Sequence, residues 1–450
     1  MRLVTILAAI LAAAASPAAD LRCGAARRVI TPDLKAHGPV YLAGFGQNRP
    51  ATGVHDDLFA RCMALAVGKR PLVICGVDLI GLFYEDVVRI RQKVDADLIV
   101  AALHDHEGPD TMGLWGPAIG QSGLNEAYNQ FVVDQVALTA NEAIRAMKRA
   151  VIVLAKVHTP ELDKFIDDSR PPVVHDAELI ALRALDSKGE PIGVLLNWAN
   201  HPEALGSRNT LITADYSAAV YKGLEEALGG TAVFINGAVG GMQSPLVAKV
   251  IDPETGQPAP EHSFRFAEIV GARAAGMIAG ALKQSKPVKI DSIVFREKLV
   301  NIPMDNPNFK LAAAADLFKG RKKPNADGTS STPVGYVRIA QKGKPVLEIA
   351  LVPGELYPEL SVGGIEKYEG ADFPDAPLEP AIKKMMTAPY RMLFGLANDE
   401  IGYIIPKVEW DNKEPWLQNA PRRWYGEVNA VGPEAAPLIA KALADLIRGR

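Results

Sequence analysis

Five apolar runs in this chain each close on a residue able to bind a metal or attack a carbonyl, and that repetition restricts the fold. They are LIVAALHDHEGP with His104 and His106, VLLNWANHPEAL with His201, AVFINGAVGGMQSP with Ser244, LEIALVPGE with Glu355, and LFGLANDEIGYIIP with Tyr403. Short runs rich in Val, Ile and Leu read as buried strands. In open α/β sheets, ligands sit beyond the carboxyl ends of the strands. Residues far apart in sequence are therefore expected to meet in one crevice.

The rest of the chain fits that frame. Strand-like runs recur near 98–103, 151–157, 178–185, 191–198 and 231–236, and helical spacing covers 82–94, 124–148, 214–228, 263–284 and the closing EAAPLIAKALADLIRG. The opening CGAARRVITPDL predicts a strand and then a turn at Thr31-Pro32, and LFARCMALAV and PLVICGVDLI predict a hairpin about Gly68-Lys69-Arg70. VGYVRIAQKG and PVLEIALVPGE predict a second hairpin, 250–262 a loop, and 303–335 an inserted helix with a mobile loop. No linker divides the chain, so 20–450 is expected to form one large α/β domain, a mixed β-sheet core flanked by helices with inserted loops.

Residues 1–19 (MRLVTILAAILAAAASPAA) carry an early Arg, an apolar core and a small-residue end, the pattern of a cleaved secretory signal peptide. The run is short for a membrane anchor. A soluble, secreted or periplasmic protein is the expectation. The net charge of −3, with no basic arm, gives no footprint for nucleic acid. Three cysteines do not make a disulfide scaffold. Cys62 and Cys75 would be near cross-strand neighbours in the first hairpin; two buried small hydrophobes are the default expectation, a bridge the alternative, with Cys23 free.

Each polar residue also has an ordinary role. His104 and His106 are two apart, so extended backbone would put both on one face, a good start for a metal site. A lone histidine such as His201 is more often a satisfied hydrogen-bonding residue. Glu355 after Pro353-Gly354 resembles a helix cap. Tyr403 would ordinarily pack in the core, and a phenol ligates only when a metal lowers its pKa. Ser244 follows Gly237, Gly240 and Gly241, which expose backbone amides for an oxyanion or set an ordinary tight turn. No Gly-x-Ser-x-Gly elbow surrounds it.

Taken in order, the blocks resemble the catalytic domain of the neutral/alkaline, non-lysosomal ceramidase family, without its C-terminal immunoglobulin-like domain. GFGQ and GVHDDLFARCMAL resemble its N-terminal Gly-rich and Ile-His-x-x-Leu-x-Ala-Arg block, and LHDHEGP resembles Thr-His-Thr-His-Ser-Gly-Pro. NWANHPEAL, INGAVGGMQSP, PGE, GLANDEIGYIIP and YGEVNAVGPEAAP resemble five further blocks, from about Cys23 to the C-terminus. The resemblance implies zinc (Zn2+) held by His104, His201, Glu355 and Tyr403, with His106 beside the metal and Ser244 at the metal water or scissile amide. The implied reaction is metal-assisted amide hydrolysis of an N-acyl-sphingosine or related N-acyl lipid, with peripheral membrane contact possible.

The chain also departs from the family. Asp105 and Glu107 replace Thr and Ser, Met242 stands where the family has Asp, and Val157-His158-Thr159-Pro160 replaces a stretch bearing a substrate-contacting arginine. A retained metal centre with changed substrate recognition is the expectation. The alternatives are a serine-dependent esterase using Ser244 with His106 or His201, and a non-catalytic binding protein on the same fold.

Overall fold

The structure, a computed structural model, describes residues 20–449; the expected signal peptide lies outside the described residues. In chain order the main elements are β1 (Arg22–Val29), β2 (Phe59–Ala66), β3 (Leu72–Val77), α1 (Tyr84–Arg91), β4 (Asp97–Ala102), α2 (Glu126–Arg145), β5 (Lys148–Val157), β6 (Leu179–Asp186), β7 (Pro191–Trp198), α3 (Tyr216–Leu228), β8 (Thr231–Asn236) and α4 (Phe264–Gln284). They continue with β9 (Ser292–Pro303), α5 (Pro307–Ala314), β10 (Thr329–Gln341), β11 (Lys344–Leu351), β12 (Tyr390–Phe394) and α6 (Ala435–Arg448). Side chains start the long helices: Asn125 accepts from the Tyr128 amide ahead of α2, and Ser263 from the Phe266 amide ahead of α4.

A nine-stranded sheet runs in the order β8-β7-β6-β5-β1-β2-β3-β4, with Pro287–Val288 paired on β5. Its outer pairs, β7/β8 and β3/β4, are parallel, and the interior pairs are antiparallel. Parallel neighbours need a crossover, supplied by α3 and α1. A four-stranded sheet, β9-β10-β11-β12, is parallel only at β11/β12.

Four layers result. One apolar cluster joins α3 and α4 to β6–β8, and a second joins α1 and α2 to β2–β4. A third lies between the two sheets, where Met63, Ile99 and Val233 meet Val337, Ile349 and Phe394. A fourth places Ile439 and Leu443 of α6 on Val334 and Tyr336. Strands covered on both faces lose the polar alternation, which is why they read as continuous apolar runs.

The large sheet folds back so that its two ends meet. Asn236, at the end of β8, donates from Nδ2 to the Leu103 carbonyl just past β4, 2.7 Å away, and to the Asn200 carbonyl past β7, 2.9 Å away. Asn197 donates from Nδ2 to the Leu393 carbonyl in β12 at 2.8 Å, tying the second sheet to the first. At Gly395, just past β12, a Cβ would stand 2.3 Å from the Gly237 carbonyl, so only glycine allows this approach. The carboxyl ends of β4, β7, β8, β11 and β12 thereby share one rim.

The expected class, a mixed sheet flanked by helices, is observed. The second sheet is an addition: its strand β9 carries mostly half-exposed residues with no alternation to announce it. The segment read as helix plus mobile loop contains α5, but β10 begins inside it, at Thr329. Arg321 and Lys322 in the same segment are buried, Arg321 against Asp86 and Glu126 and Lys322 against Asp399. These ion pairs pin what the polar composition suggested would move.

The default expectation for the cysteines is corrected. Cys62 and Cys75 stand directly opposite on β2 and β3, with Cα atoms 4.1 Å apart, and are disulfide-bonded. Cys23 is free, buried, and pushed up to about 12 in pKa by desolvation. The bridge closes a sequence separation of 13 residues, so a Cys62→Ala/Cys75→Ala variant should unfold about 3 kcal/mol more easily in denaturant titration. An unchanged midpoint would mean the bridge contributes nothing beyond the hairpin itself.

Candidate metal centre

His104 follows β4 with φ at +64°, in the left-handed region that non-glycine residues rarely occupy. Its Nδ1 lies 2.9 Å from the Ile80 carbonyl. The extended backbone expected for His104 and His106 is therefore not what aligns them: the kink does, leaving their ring centroids 4.9 Å apart and the planes at 74°. His201, past β7, sets its Nδ1 2.9 Å from the Gln243 carbonyl. Glu355 and Tyr403 stand opposite each other in a short parallel ladder, so both side chains leave the same face.

These groups converge. The Glu355 Oε2 atom is 3.3 Å from His104 Nε2 and 3.1 Å from His201 Nε2. The Tyr403 hydroxyl lies beside the same carboxylate and 3.1 Å from the Met242 sulfur. One nitrogen from each of His104, His106 and His201 lies within 4.8 Å of the others. His106 Nδ1 is 3.2 Å from Glu203 Oε2 without a hydrogen bond, so both ring nitrogens of His106 and both Glu203 oxygens lack a hydrogen-bond partner among the described residues. Ser244 sits beside Glu203 and accepts at Oγ from the Leu246 amide at 3.1 Å.

Charge decides what this arrangement requires. A carbonyl only accepts, so the Nδ1 atoms of His104 and His201 carry the proton. In neutral His104, Nε2 then turns a lone pair toward the Glu355 carboxylate, whereas a proton on His201 Nε2 would be donated to Glu355 Oε2, 3.1 Å away. Desolvation holds His104 below its ordinary pKa and His106 well below it, so neither is cationic near neutrality. His201 is also desolvated, but its hydrogen bond to Glu355 and the charges of Glu203 and Glu355 carry it above its ordinary value. Burial pushes Glu355 up, yet His104, His201 and Tyr403 outweigh that and hold it below the usual range. Burial and the charge of Glu355 push the Tyr403 phenol and the Glu400 carboxyl well up.

Three buried imidazoles around one carboxylate could hold a metal ion. Imidazole nitrogens, a carboxylate oxygen and a phenol oxygen, with backbone carbonyls fixing the far nitrogens, match the donor chemistry of zinc. The residues present fit the implied ion.

The site opens on a cavity of about 410 Å³, bordered by His104, His106, Glu203, Glu355 and Tyr403 on one side and by Phe45, Trp115, Met242, Leu246 and Phe309 among its apolar residues. Glu203, Lys322, Glu400 and Arg422 also border it and were not singled out from the sequence. Glu203 lies within the NHPEAL block, but two residues past a histidine it carried no periodic signal. Ser244 itself does not border the cavity, and neither do Asp105 and Glu107. Glu107 pairs instead with Arg49 at 2.9 Å. His158, in the stretch lacking the family's arginine, is exposed beside Asp163, away from the cavity.

Gly44, with φ at +95°, packs so tightly on His106 that a Cβ would lie 2.4 Å from its ring, whereas a Cβ on Gly46 would meet nothing within 4 Å. Gly44→Ala should therefore displace the His106 ring and cost roughly 1–3 kcal/mol, while Gly46→Ala should stay within about 0.5 kcal/mol of the parent. Thermal unfolding together with histidine ring NMR shifts checks both; an unshifted His106 signal in Gly44→Ala would contradict the packing.

No family model matches the chain. Among solved structures, neutral ceramidase from Pseudomonas aeruginosa superposes with a TM-score of 0.70 at 16% identity, over 96% of this chain and 75% of that one. A ceramidase complexed with C2 gives 0.70 at 15%, over 95% and 75%. The chain therefore shares the fold of neutral ceramidase, the enzyme whose family its sequence blocks resemble.

Proposed function

We propose that the protein is an exported zinc-dependent amidohydrolase that cleaves the amide bond of an N-acyl lipid, as ceramidases do. The observation that carries this is the carboxylate of Glu355 facing two imidazoles whose remaining nitrogens are committed to carbonyls, at the edge of a largely apolar cavity. His104, His201, Glu355 and Tyr403 would hold the ion, and His106 and Ser244 would be the catalytic neighbours. Bound zinc supplies Lewis-acid polarisation of a carbonyl and lowers the pKa of water toward neutrality.

The chain's own groups do the rest. Phe45, Trp115, Leu246 and Phe309 offer an apolar wall to an acyl chain and exclude water from the amide. His106, neutral and unpartnered, is free to hydrogen-bond a carbonyl oxygen as charge develops there. Glu203 Oε2, 3.2 Å from His106 Nδ1, is placed to hold a proton beside the reacting group, and burial raises its affinity for that proton. Ser244 lies beside Glu203.

Export is supported by the disulfide, which belongs to an oxidising compartment. Residues 1–19 would be removed, leaving 20–450 as the mature domain. No helix among the described residues is long and apolar enough to cross a membrane.

Elemental analysis of purified protein should find about one zinc per chain, lost in Glu355→Ala. His104→Ala should lower kcat/KM for an N-acyl amide by at least about 100-fold, and a chelator should do the same to the parent. Chelator-resistant hydrolysis abolished by Ser244→Ala would replace this reading with a serine mechanism. Zinc-loaded protein inert toward ceramide but active on another N-acyl amide would remove ceramide alone.

A further inference from the structure

A second cavity, of about 430 Å³, lies against the first and shares Met242, Tyr403 and Tyr425 with it as a common wall. Arg170, Arg422 and Arg423 border it, and no carboxylate does. The three guanidinium groups are not equivalent. Arg170 is spoken for: it pairs with Glu427 at 2.5 Å and donates to the Glu409 carbonyl at 2.7 Å. Arg423 donates to the Glu427 backbone carbonyl at 3.1 Å, and its Nε has no partner. Arg422 makes no hydrogen bond or salt bridge among the described residues and borders both cavities.

Exposed Arg422 and half-buried Arg423, neither with a carboxylate partner among the described residues, thus border a partly enclosed space next to the candidate metal donors. Such a space favours an anion, since guanidinium matches carboxylate, sulfonate and phosphate oxygens in a planar fork. The first cavity is largely apolar and suits the acyl chain. Tyr403 stands both in the shared wall and beside Glu355, so the reacting amide would sit at the junction, and whatever the amide nitrogen carries would enter the second cavity.

We propose that this second cavity is an anion subsite for the amine half of the substrate, so that the preferred substrates are N-acyl amides bearing an acidic group on the amine, N-acyl amino acids above all, rather than neutral N-acyl amino alcohols. The inference rests on the amidohydrolase reading. Hydrolysis breaks the acyl carbon–nitrogen bond, water delivers its hydroxyl to the acyl carbon and a proton to nitrogen, and a fatty acid and an amino acid leave.

The test uses purified protein, Arg422→Gln, and Arg422→Ala/Arg423→Ala, each checked for an unchanged melting temperature. Calorimetry compares two non-hydrolysable probes, dodecyloxyacetate and 2-dodecyloxyethanol; kcat/KM is measured for N-lauroylglycine, N-lauroyltaurine and N-lauroylethanolamine. The parent should bind the anionic probe at least about 10-fold more tightly, as loss of a charge-assisted hydrogen bond implies, and favour the acidic amides similarly. The double variant should erase both preferences without changing the neutral compounds, which separates the arginines from direct attraction of the anion to the metal, and Arg422→Gln should fall between. Glycine preferred over taurine assigns a carboxylate; equal rates assign any small anion. Equal binding of both probes, or equal weakening of both in the double variant, overturns the subsite. So does loss of binding to phosphatidylglycerol vesicles with discrimination unchanged, which would give the arginines to a membrane. Probe discrimination without turnover of any amide would leave the subsite standing and remove the hydrolase; turnover without discrimination would do the reverse.

Discussion

The centre depends on one carboxylate oxygen. Glu355 Oε2 stands within 3.3 Å of two imidazole nitrogens that have no proton to give it in the neutral tautomer. In a medium of low dielectric such a contact is costly unless a proton or a cation lies between the partners. It persists because each partner is held from behind. His104 is anchored to the Ile80 carbonyl and His201 to the Gln243 carbonyl, while Glu355 is paired in register with Tyr403. All three anchors are backbone groups, so orientation is fixed by the fold rather than by rotamer choice.

That orientation is only available because the large sheet closes on itself and the small sheet packs across it. The contacts doing this are buried and polar: Asn236 joins three strand ends, and Asn197 joins β7 to β12. Buried amides whose hydrogen bonds are all made favour one arrangement over slipped ones, because any slip would strand them without partners. The apolar clusters between layers supply the bulk of the burial, and these asparagines choose the register.

Around the centre, chemistry and recognition are built from different parts of the chain. The candidate donors follow strand ends of both sheets. The cavity walls come from the segments between them: the loop carrying Gly44 and Phe45, the segment with Phe309 and Lys322, and the stretch bearing Arg422 and Tyr425. Such segments run over the surface and vary without disturbing the scaffold. The fold shared with neutral ceramidase at 16% identity concerns this scaffold.

Strand identity was legible in the amino-acid order, because strands buried on both faces must be continuously apolar, and a polar residue at the end of such a run marks a rim. The strands ahead of His104, His201 and Glu355 were legible in this way, and so was the helix-strand alternation, whereas Ser244 and Tyr403 lie eight and nine residues beyond strands that end at Asn236 and Phe394. What the chain order could not decide was anything set by a partner across the fold. Whether Cys62 and Cys75 bridge depends on cross-strand register. The sheet containing β9 has no internal periodicity, since its half-exposed residues are sorted by packing alone. Lys322 sits in a polar stretch yet is buried, because Asp399 lies opposite. Local sequence dictates which residues seek burial and which can carry a proton or a metal; only the folded-back sheet brings three imidazoles and a carboxylate within reach, because that distance is set by hydrogen bonds between residues 133 and 196 apart in the chain.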